Sequence, residues 1–97
     1  MKIIKSIKYL KRIVKESKRN GSSINFIPTM GALHLGHIKL IQKAKKRNAV
    51  RIVSIFINPS QFGPSEDFKN YPRTIPNDLN LLRNENVDIV FLPIENE

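Results

Sequence analysis

Two histidines stand three residues apart in the stretch from Pro28 to His37, Pro-Thr-Met-Gly-Ala-Leu-His-Leu-Gly-His. An apolar segment precedes this stretch and an amphipathic one follows it, so the sequence predicts a turn between a parallel strand and a helix. At the start of a helix, His34 and His37 share one face. Helix N-termini favour anions, and Gly31 and Gly36 allow a close approach of the backbone. The stretch therefore predicts a site for nucleotide phosphates.

The chemistry that two imidazoles could perform at such a turn is stabilisation of an α-phosphate during nucleotidyl transfer. Charge develops on the phosphate oxygens, and preorganised donors lower the barrier. Histidine can supply a proton or a hydrogen bond near neutral pH. A bare His-x-x-His is more often a pair of surface or capping histidines, and the strand, helix and glycines around this one favour the functional interpretation. A metal site is a weaker alternative, since no third ligand lies nearby in the sequence.

A second polar segment, Asn58-Pro-Ser-Gln-Phe-Gly63, follows the next apolar run. Asn58 and Gln61 carry amides that both donate and accept, so they could hold a substrate with a hydroxyl and a carboxylate. An ordinary turn is the alternative, because Asn-Pro and Phe-Gly-Pro are strong chain breakers.

The segments that must position these residues alternate between helical and extended patterns. They are a helix over about 6–19, a strand over 24–27, a helix over 36–47, a strand over 50–57, a loop over 58–72, a helix capped by Thr74 with Pro76 in its first turn, and a strand over 88–92. The 50–57 strand is apolar with little alternation, which is typical of a central parallel strand covered on both faces. We expect Asp78 in the first turn of the last helix, where a carboxylate complements the helix dipole.

Three strands and about three helices in this order predict an α/β fold with a Rossmann-like parallel sheet, incomplete at this length. Ligands of such sheets bind beyond the carboxyl ends of the strands. The histidine stretch and the amide segment both emerge at that edge.

Composition narrows the class of protein. The 97 residues suffice for one small domain, and the lack of cysteine excludes disulfides and a thiolate nucleophile. No apolar run approaches the roughly 20 residues that span a bilayer. Lysines at positions 2, 5 and 8 interrupt any signal-peptide segment. We expect a soluble, cytoplasmic protein without membrane contact.

The formal net charge of +9 raises the possibility of a nucleic-acid partner. However, 13 of the 17 Lys and Arg residues lie within positions 1–47, mostly on the polar sides of two predicted helices. Aromatic residues are not interleaved with them, as a single-strand stacking surface requires. We expect no nucleic-acid partner, and a small basic nucleic-acid-binding domain stays open as an alternative class.

The chain resembles the pantothenate synthetase (pantoate–β-alanine ligase) family of the His-x-Gly-His nucleotidyltransferase superfamily over nearly its whole length. The segments that carry the resemblance are 26–37, 53–63, 66–67, 71–74 and 78–79. The first segment alone also fits other adenylyltransferases, such as those acting on a phosphopantetheine or a nicotinate nucleotide. The second segment, in its order and spacing after the first, is close to family-specific.

The resemblance implies an ATP-dependent ligase. Pantoate attacks the α-phosphate of Mg²⁺-bound ATP, and β-alanine then attacks the pantoyl adenylate, giving pantothenate and AMP. The positions implied to bind ATP are Met30, Gly31, Ala32, Leu33, His34, Leu35, Gly36 and His37, of which His34 and His37 are catalytic and His37 is the proton donor. Gln61 is implied to bind both pantoate and β-alanine, and we expect Asn58 to line the same pocket. No metal ligand is implied among the protein residues.

The family enzyme has a C-terminal lid domain and forms a homodimer. Its members run to roughly 250–300 residues, the usual span of a two-domain chain. The resemblance thus implies that residues 1–97 are the N-terminal part of a nucleotide-binding domain, with the lid absent. We expect these residues to be catalytically incompetent alone and to belong to a homodimer when full length.

Overall fold

A four-stranded parallel sheet organises the chain in the computed structural model, which describes residues 1–56 and 71–93. The strands and helices alternate in the order β1 (Lys2–Ile4), α1 (Ile7–Arg19), β2 (Ser23–Thr29), α2 (Leu35–Lys43), β3 (Ala49–Ile55), α3 (Tyr71–Asn84) and β4 (Ile89–Phe91). Within the sheet the order is β1-β4-β3-β2, and every pairing is parallel. The predicted α/β parallel sheet is confirmed.

The prediction of three strands was wrong, because the chain opens with a further one. β1 pairs with β4 in the register Lys2↔Ile89 and Ile4↔Phe91. Ile4 is its one buried residue. Three residues between lysines are too short to show a period, so only the pairing with β4 reveals this strand.

Helix α1 begins and ends where the sequence indicated. Ser6 is its N-cap, with Oγ accepting from the Tyr9 N–H at 3.3 Å. Asn20 ends the helix, and Gly21 follows with φ +88°, a conformation that glycine adopts without strain.

Helix α2 ends at Lys43 rather than at the predicted Arg47. The Asn25 side chain of β2 donates from Nδ2 to the carbonyl of Ala44 at 2.6 Å, which satisfies an acceptor left free by the helix end. Asn48, at φ +62°, then turns the chain into β3. The cationic run after Lys43 therefore lies in the connection and not in the last helical turn.

Helix α3 begins at Tyr71, so the prediction that Thr74 caps it was wrong. Pro72 falls in the first turn, where a missing N–H costs no helical hydrogen bond. Pro76 lies inside the helix rather than in its first turn.

Apolar side chains cover both faces of the sheet, as predicted for the strand now seen as β3. Val53 and Ile55 face a cluster shared with α2 and α3, while Ile52 faces a cluster shared with α1. The first cluster contains Ile27, Leu33, Ile41, Val53, Ile55, Leu82, Val87 and Val90, and the second Ile4, Leu10, Ile52, Ile89 and Phe91. Ile57, predicted as the end of this strand, lies outside the described residues.

A buried arginine ties together the C-terminal ends of two helices. Arg51 of β3 is 3% exposed, and its guanidinium donates to the carbonyls of Ile41 (2.9 Å), Glu85 (2.6 Å) and Asn86 (3.0 Å). Its own N–H donates to Asp88 Oδ2 at 2.8 Å. Guanidinium suits this place because it offers several donors in a fixed plane.

Replacing Arg51 with methionine should lower the free energy of unfolding by about 3 kcal/mol, because buried carbonyls lose their donors. Urea denaturation of the purified chain measures the change. Arg51→Lys is the matched control and should give an intermediate loss, since an ammonium cannot reach all three carbonyls together. A methionine variant as stable as the parent would show that these hydrogen bonds contribute nothing.

Candidate phosphate-binding site

The predicted histidine stretch forms the connection from β2 to α2, at the carboxyl edge of the sheet. Thr29, the last residue of β2, donates from Oγ1 to the carbonyl of Ser54 at 2.9 Å and accepts the N–H of Gly31 at 3.2 Å. One hydroxyl therefore joins the ends of β2 and β3 and starts the turn. The turn leaves the sheet where ligands of parallel α/β folds bind.

The turn itself bends through two residues with positive φ. Gly31 has φ +85° and Ala32 has φ +49°. The left-handed region is open to glycine but costs an alanine about 1–2 kcal/mol. Leu33 follows and is buried in the core cluster with Ile27 and Ile41, which holds the far end of the turn to the domain.

A carboxylate of α3 accepts hydrogen bonds from the backbone of this turn. Asp78 is 1% exposed, and its Oδ2 and Oδ1 accept the N–H groups of Ala32 and Leu33, both at 2.9 Å. The prediction that Asp78 sits in a first turn and merely complements a dipole was wrong, since α3 begins seven residues earlier, at Tyr71. The available signal was the position of Asp78 within the segments that resemble the ligase family.

The two histidines cap α2 reciprocally. His34 is the N-cap with φ −136° and ψ −176°, and its Nδ1 accepts the N–H of Gly36 at 3.1 Å. The N–H of His34 in turn donates to Nδ1 of His37 at 3.1 Å. The ring centroids lie 4.1 Å apart with planes tilted by 50°. The structure thus brings the two predicted catalytic residues together.

This arrangement assigns the protons of both rings. A backbone N–H can only donate, so Nδ1 of His34 and Nδ1 of His37 must be acceptors. A neutral imidazole then carries its hydrogen on Nε2. His34 is exposed and His37 is half-buried, so each ring can offer an Nε2–H to a ligand.

The backbone N–H groups of the turn are largely engaged within the protein. Those of Gly31, Ala32, Leu33, His34 and Gly36 donate to Thr29, Asp78 and the two imidazoles. The expectation of unpaired backbone donors at this helix start therefore needs correction. The two Nε2–H groups are therefore further candidate donors to an anion at this turn.

Burial lowers the pKa of the His37 imidazole from its ordinary value, and the neighbouring His34 lowers it further, while the carboxylate of Asp78 opposes them. His37 therefore favours the neutral form, which agrees with an Nδ1 that accepts a hydrogen bond.

Gly36 is required by the His34 ring as much as by a ligand. A Cβ at this position would lie 3.0 Å from Cε1 and 3.2 Å from Nδ1 of His34. Contacts this tight are rare for Cβ atoms, so the ring would have to shift by a few tenths of an ångström.

Replacing Gly36 with alanine should therefore separate stability from site geometry. Alanine favours a helix over glycine by about 1 kcal/mol, so the thermal midpoint should hold or rise. Displacement of the His34 ring should weaken binding of a nucleoside triphosphate about tenfold, since a displaced donor loses its hydrogen bond to a charged group. Thermal unfolding and calorimetric titration with the nucleotide check both parts. Unchanged affinity would show that the ring position does not matter.

Of the other predicted site residues, some lie on the turn and helix α2 and others lie outside the described residues. Met30, Leu35 and the rest of the stretch through His37 lie on the turn and the first turn of α2, with Met30 and Leu35 exposed. Asn58 and Gln61 lie outside the described residues. Within residues 1–56 and 71–93, no group of three His, Cys, Asp or Glu side chains could hold a metal ion. No helix in that part of the chain has the length and apolar character to cross a membrane.

An open groove of about 380 Å³ lies between the outer edge of β2 and the second half of helix α2. Its lining includes Phe26, Pro28, Leu40 and Lys43. Phe26 and Leu40 are about half exposed, at 50% and 54%.

Comparison with known proteins places this chain in a family. The profile of the pantoate-beta-alanine ligase family matches residues 2–97. Pantothenate synthetase from Thermosipho melanesiensis is 53% identical over 93 residues, which cover 96% of this chain and 33% of the relative. The enzyme of that name from Carboxydothermus hydrogenoformans is 55% identical over 97 residues, covering all of this chain and 34% of the relative. The chain spans about a third of the length of these curated relatives.

Solved structures indicate the same family. A pantoate-beta-alanine ligase from Francisella tularensis, complexed with beta-gamma ATP and beta-alanine, superposes with a TM-score of 0.78 at 46% identity, covering 96% of this chain and 35% of that one. A pantothenate synthetase from Thermus thermophilus superposes with a TM-score of 0.69 at 36% identity, covering 97% and 32%. By sequence over nearly every residue and by fold, the chain belongs to the pantoate-beta-alanine ligase family.

Proposed function

We propose that this chain supplies the ATP-binding turn of an enzyme that condenses pantoate with β-alanine to form pantothenate. The observation that carries the proposal is the reciprocal capping of His34 and His37, which leaves two neutral Nε2–H donors on one exposed turn. Since the chain spans about a third of its relatives, the activity belongs to a longer polypeptide, in which residues 1–97 form the N-terminal part of the nucleotide-binding domain. A C-terminal lid domain completes that polypeptide.

The reaction has two steps. A carboxylate oxygen of pantoate attacks the α-phosphorus of ATP, and the bond to the β-phosphate breaks, giving pantoyl adenylate and pyrophosphate. The amine of β-alanine then attacks the acyl carbon, loses a proton, and displaces AMP. In the first step, negative charge grows on the α-phosphate oxygens and on the departing pyrophosphate. Donors fixed beforehand stabilise that charge.

In this proposal His37 acts through its Nε2–H as a hydrogen-bond donor. Its Nδ1 is already an acceptor for the His34 N–H, so the ring is neutral. A neutral imidazole is a very weak acid, which makes complete transfer of the Nε2 proton unfavourable. His34 adds a second donor in the adjacent ring, whose centroid lies 4.1 Å away. We therefore propose that His37 donates a hydrogen bond to the phosphate and does not transfer its proton.

Magnesium enters the proposal with the nucleotide. The carboxylate of Asp78 is 1% exposed and accepts two backbone N–H groups, so we assign it to the turn and not to the metal. Mg²⁺ is commonly held by substrate phosphates and water rather than by an all-protein cage. The metal supplies charge neutralisation of the phosphates when ATP binds.

Asn58 and Gln61 remain our proposed contacts for pantoate and β-alanine. Their segment follows β3, whose last residue, Ile55, lies beside the end of β2. Side chains that leave neighbouring parallel strands emerge at the same edge of the sheet. The Francisella tularensis ligase is described in complex with beta-alanine, which supports that substrate.

The longer enzyme is proposed to be a cytoplasmic homodimer without a nucleic-acid partner. Strand β2 lies at an edge of the sheet, and the side chain of its residue Phe26 is exposed. An unpaired edge with exposed apolar residues is a surface that proteins normally cover. Sedimentation of the longer enzyme tests the dimer.

A chimeric enzyme tests the function. In this chimera, residues 1–97 replace the matching 34% of the Carboxydothermus hydrogenoformans pantothenate synthetase. We expect pantothenate and AMP to form only when ATP, pantoate and β-alanine are all present, whereas ATP and pantoate without β-alanine should give pantoyl adenylate and pyrophosphate. A folded chimera that binds ATP but adenylates a phosphorylated acceptor instead of pantoate would contradict the proposal.

A further inference from the structure

We propose that Asp78 is a positioning residue that holds the histidine turn in the conformation required for ATP. This inference rests on the proposed function of the turn and adds a residue from a distant helix. It is based on the two hydrogen bonds by which Asp78 clamps Ala32 and Leu33, both at 2.9 Å.

The clamp acts on the strained part of the turn. Ala32 has φ +49°, a left-handed conformation that persists only when its surroundings impose it. Its N–H is one of the two that Asp78 binds, and the neighbouring Leu33 supplies the other. A carboxylate that accepts two backbone N–H groups at 2.9 Å can offset the conformational cost of the left-handed backbone at Ala32.

The clamped residues directly precede the N-cap. Leu33 is followed by His34, whose backbone is extended. Nδ1 of His34 accepts the N–H of Gly36, and the N–H of His34 donates to Nδ1 of His37. A change at Ala32 and Leu33 would therefore redirect His34 first and His37 through it. Asp78 itself is 1% exposed and sits beneath the turn, so we assign it no contact with substrate.

The carboxylate of Asp78 also acts electrostatically on the imidazole of His37. Asp78 raises the pKa of His37 against the lowering effects of burial and of His34. Removal of its charge should therefore lower that pKa further. A residue with a purely structural role elsewhere in the domain would leave this titration unchanged.

The test compares Asp78→Asn with Asp88→Asn in the chimera. Asp88 is a matched control because it also accepts a backbone N–H, that of Arg51, but at the far end of β3. We expect Asp78→Asn to lower kcat/KM for ATP about 10- to 100-fold, the cost of a displaced catalytic group. KM for β-alanine should stay within twofold, and the acid limb of the pH profile should move to lower pH. Asp88→Asn should leave kcat/KM for ATP unchanged.

A second background distinguishes positioning from general stability. In a His37→Ala chimera, adding Asp78→Asn should cost much less than it does alone, because residues that act through one another are not additive. Ala32→Gly should partly restore the Asp78→Asn variant, since glycine needs no clamp at positive φ. Equal losses in both backgrounds, or no loss for Asp78→Asn, would overturn the proposal.

Two further measurements keep the result interpretable. Ala32→Val strains the same turn while leaving Asp78 in place, and it should reproduce the ATP-specific loss even where Asp78→Asn does not fold. Binding of a non-hydrolysable ATP analogue, measured by calorimetry, should weaken in parallel. Unchanged affinity in Ala32→Val would also overturn the proposal. The unsubstituted chimera reports on the proposed function separately, through formation of pantothenate.

Discussion

Replacing His37 with alanine should lower the rate of adenylation by about 10² to 10³, the range expected when a preorganised donor to developing charge is lost. The reason is the loss of an Nε2–H donor at the α-phosphate. The measurement is the pre-steady-state formation of pantoyl adenylate by the chimera. The effect should fall on kcat more than on KM for ATP, since the donor matters most where charge develops.

Two conservative variants separate the two sides of the His37 ring. Asparagine can place Oδ1 near the position of Nδ1, so His37→Asn should keep the hydrogen bond from the His34 N–H but lose the outer donor. Glutamine can place an amide N–H near Nε2, so His37→Gln should keep the donor but lose the cap. We expect His37→Gln to adenylate faster and His37→Asn to be more stable towards heat. The reverse order would show that capping, and not donation to phosphate, is the function of His37.

Acid should inactivate the site about tenfold per pH unit once His37 is protonated. A second proton on this ring must go to Nδ1, where it would meet the N–H of His34 at the 3.1 Å contact. Because burial and His34 lower the pKa of His37, the folded protein binds this proton less readily than the unfolded chain. Stability from this residue is therefore present above the ordinary histidine pKa of about 6.5. It is lost as pH falls from there through the lowered pKa.

The pH dependence of adenylation from pH 5 to 8 checks this expectation. The rate should be constant at high pH and should fall on the acid side. His37→Gln is the control, because its amide does not titrate and the acid limb should be reduced in that variant. A rate that rises as pH falls would mean that the imidazolium form is the active one.

The local part of the site follows from the sequence. His34 and His37 are three residues apart, so a helix start brings them onto one face whatever the rest of the chain does. The sequence predicts Gly31 as a residue that frees the backbone, and it has φ +85°. The alternation of strands and helices likewise predicted a parallel sheet, because each apolar run is long enough to show its pattern.

The parts that escaped prediction depend on partners distant in sequence. Asp78 is 46 and 45 residues from the two N–H groups it accepts, and in sequence it looks like any acid near a helix start. Arg51 interrupts an apolar strand and is buried because the ends of α2 and α3 supply carbonyls. Strand β1 exists because β4 offers a free edge. No local period reports such partners.

The protonation of the two rings shows directly whether this turn presents neutral donors to the phosphates. A ¹⁵N NMR spectrum of the histidine-labelled chimera, with His34 and His37 assigned by substitution, should be recorded at pH 7.5 with and without ATP. We predict unprotonated Nδ1 and protonated Nε2 in both residues, with Nε2–H signals that shift when ATP binds. Protonated Nδ1 in either ring, or Nε2–H signals that do not move at saturating ATP, would contradict the claim that this turn presents two neutral donors to the phosphates.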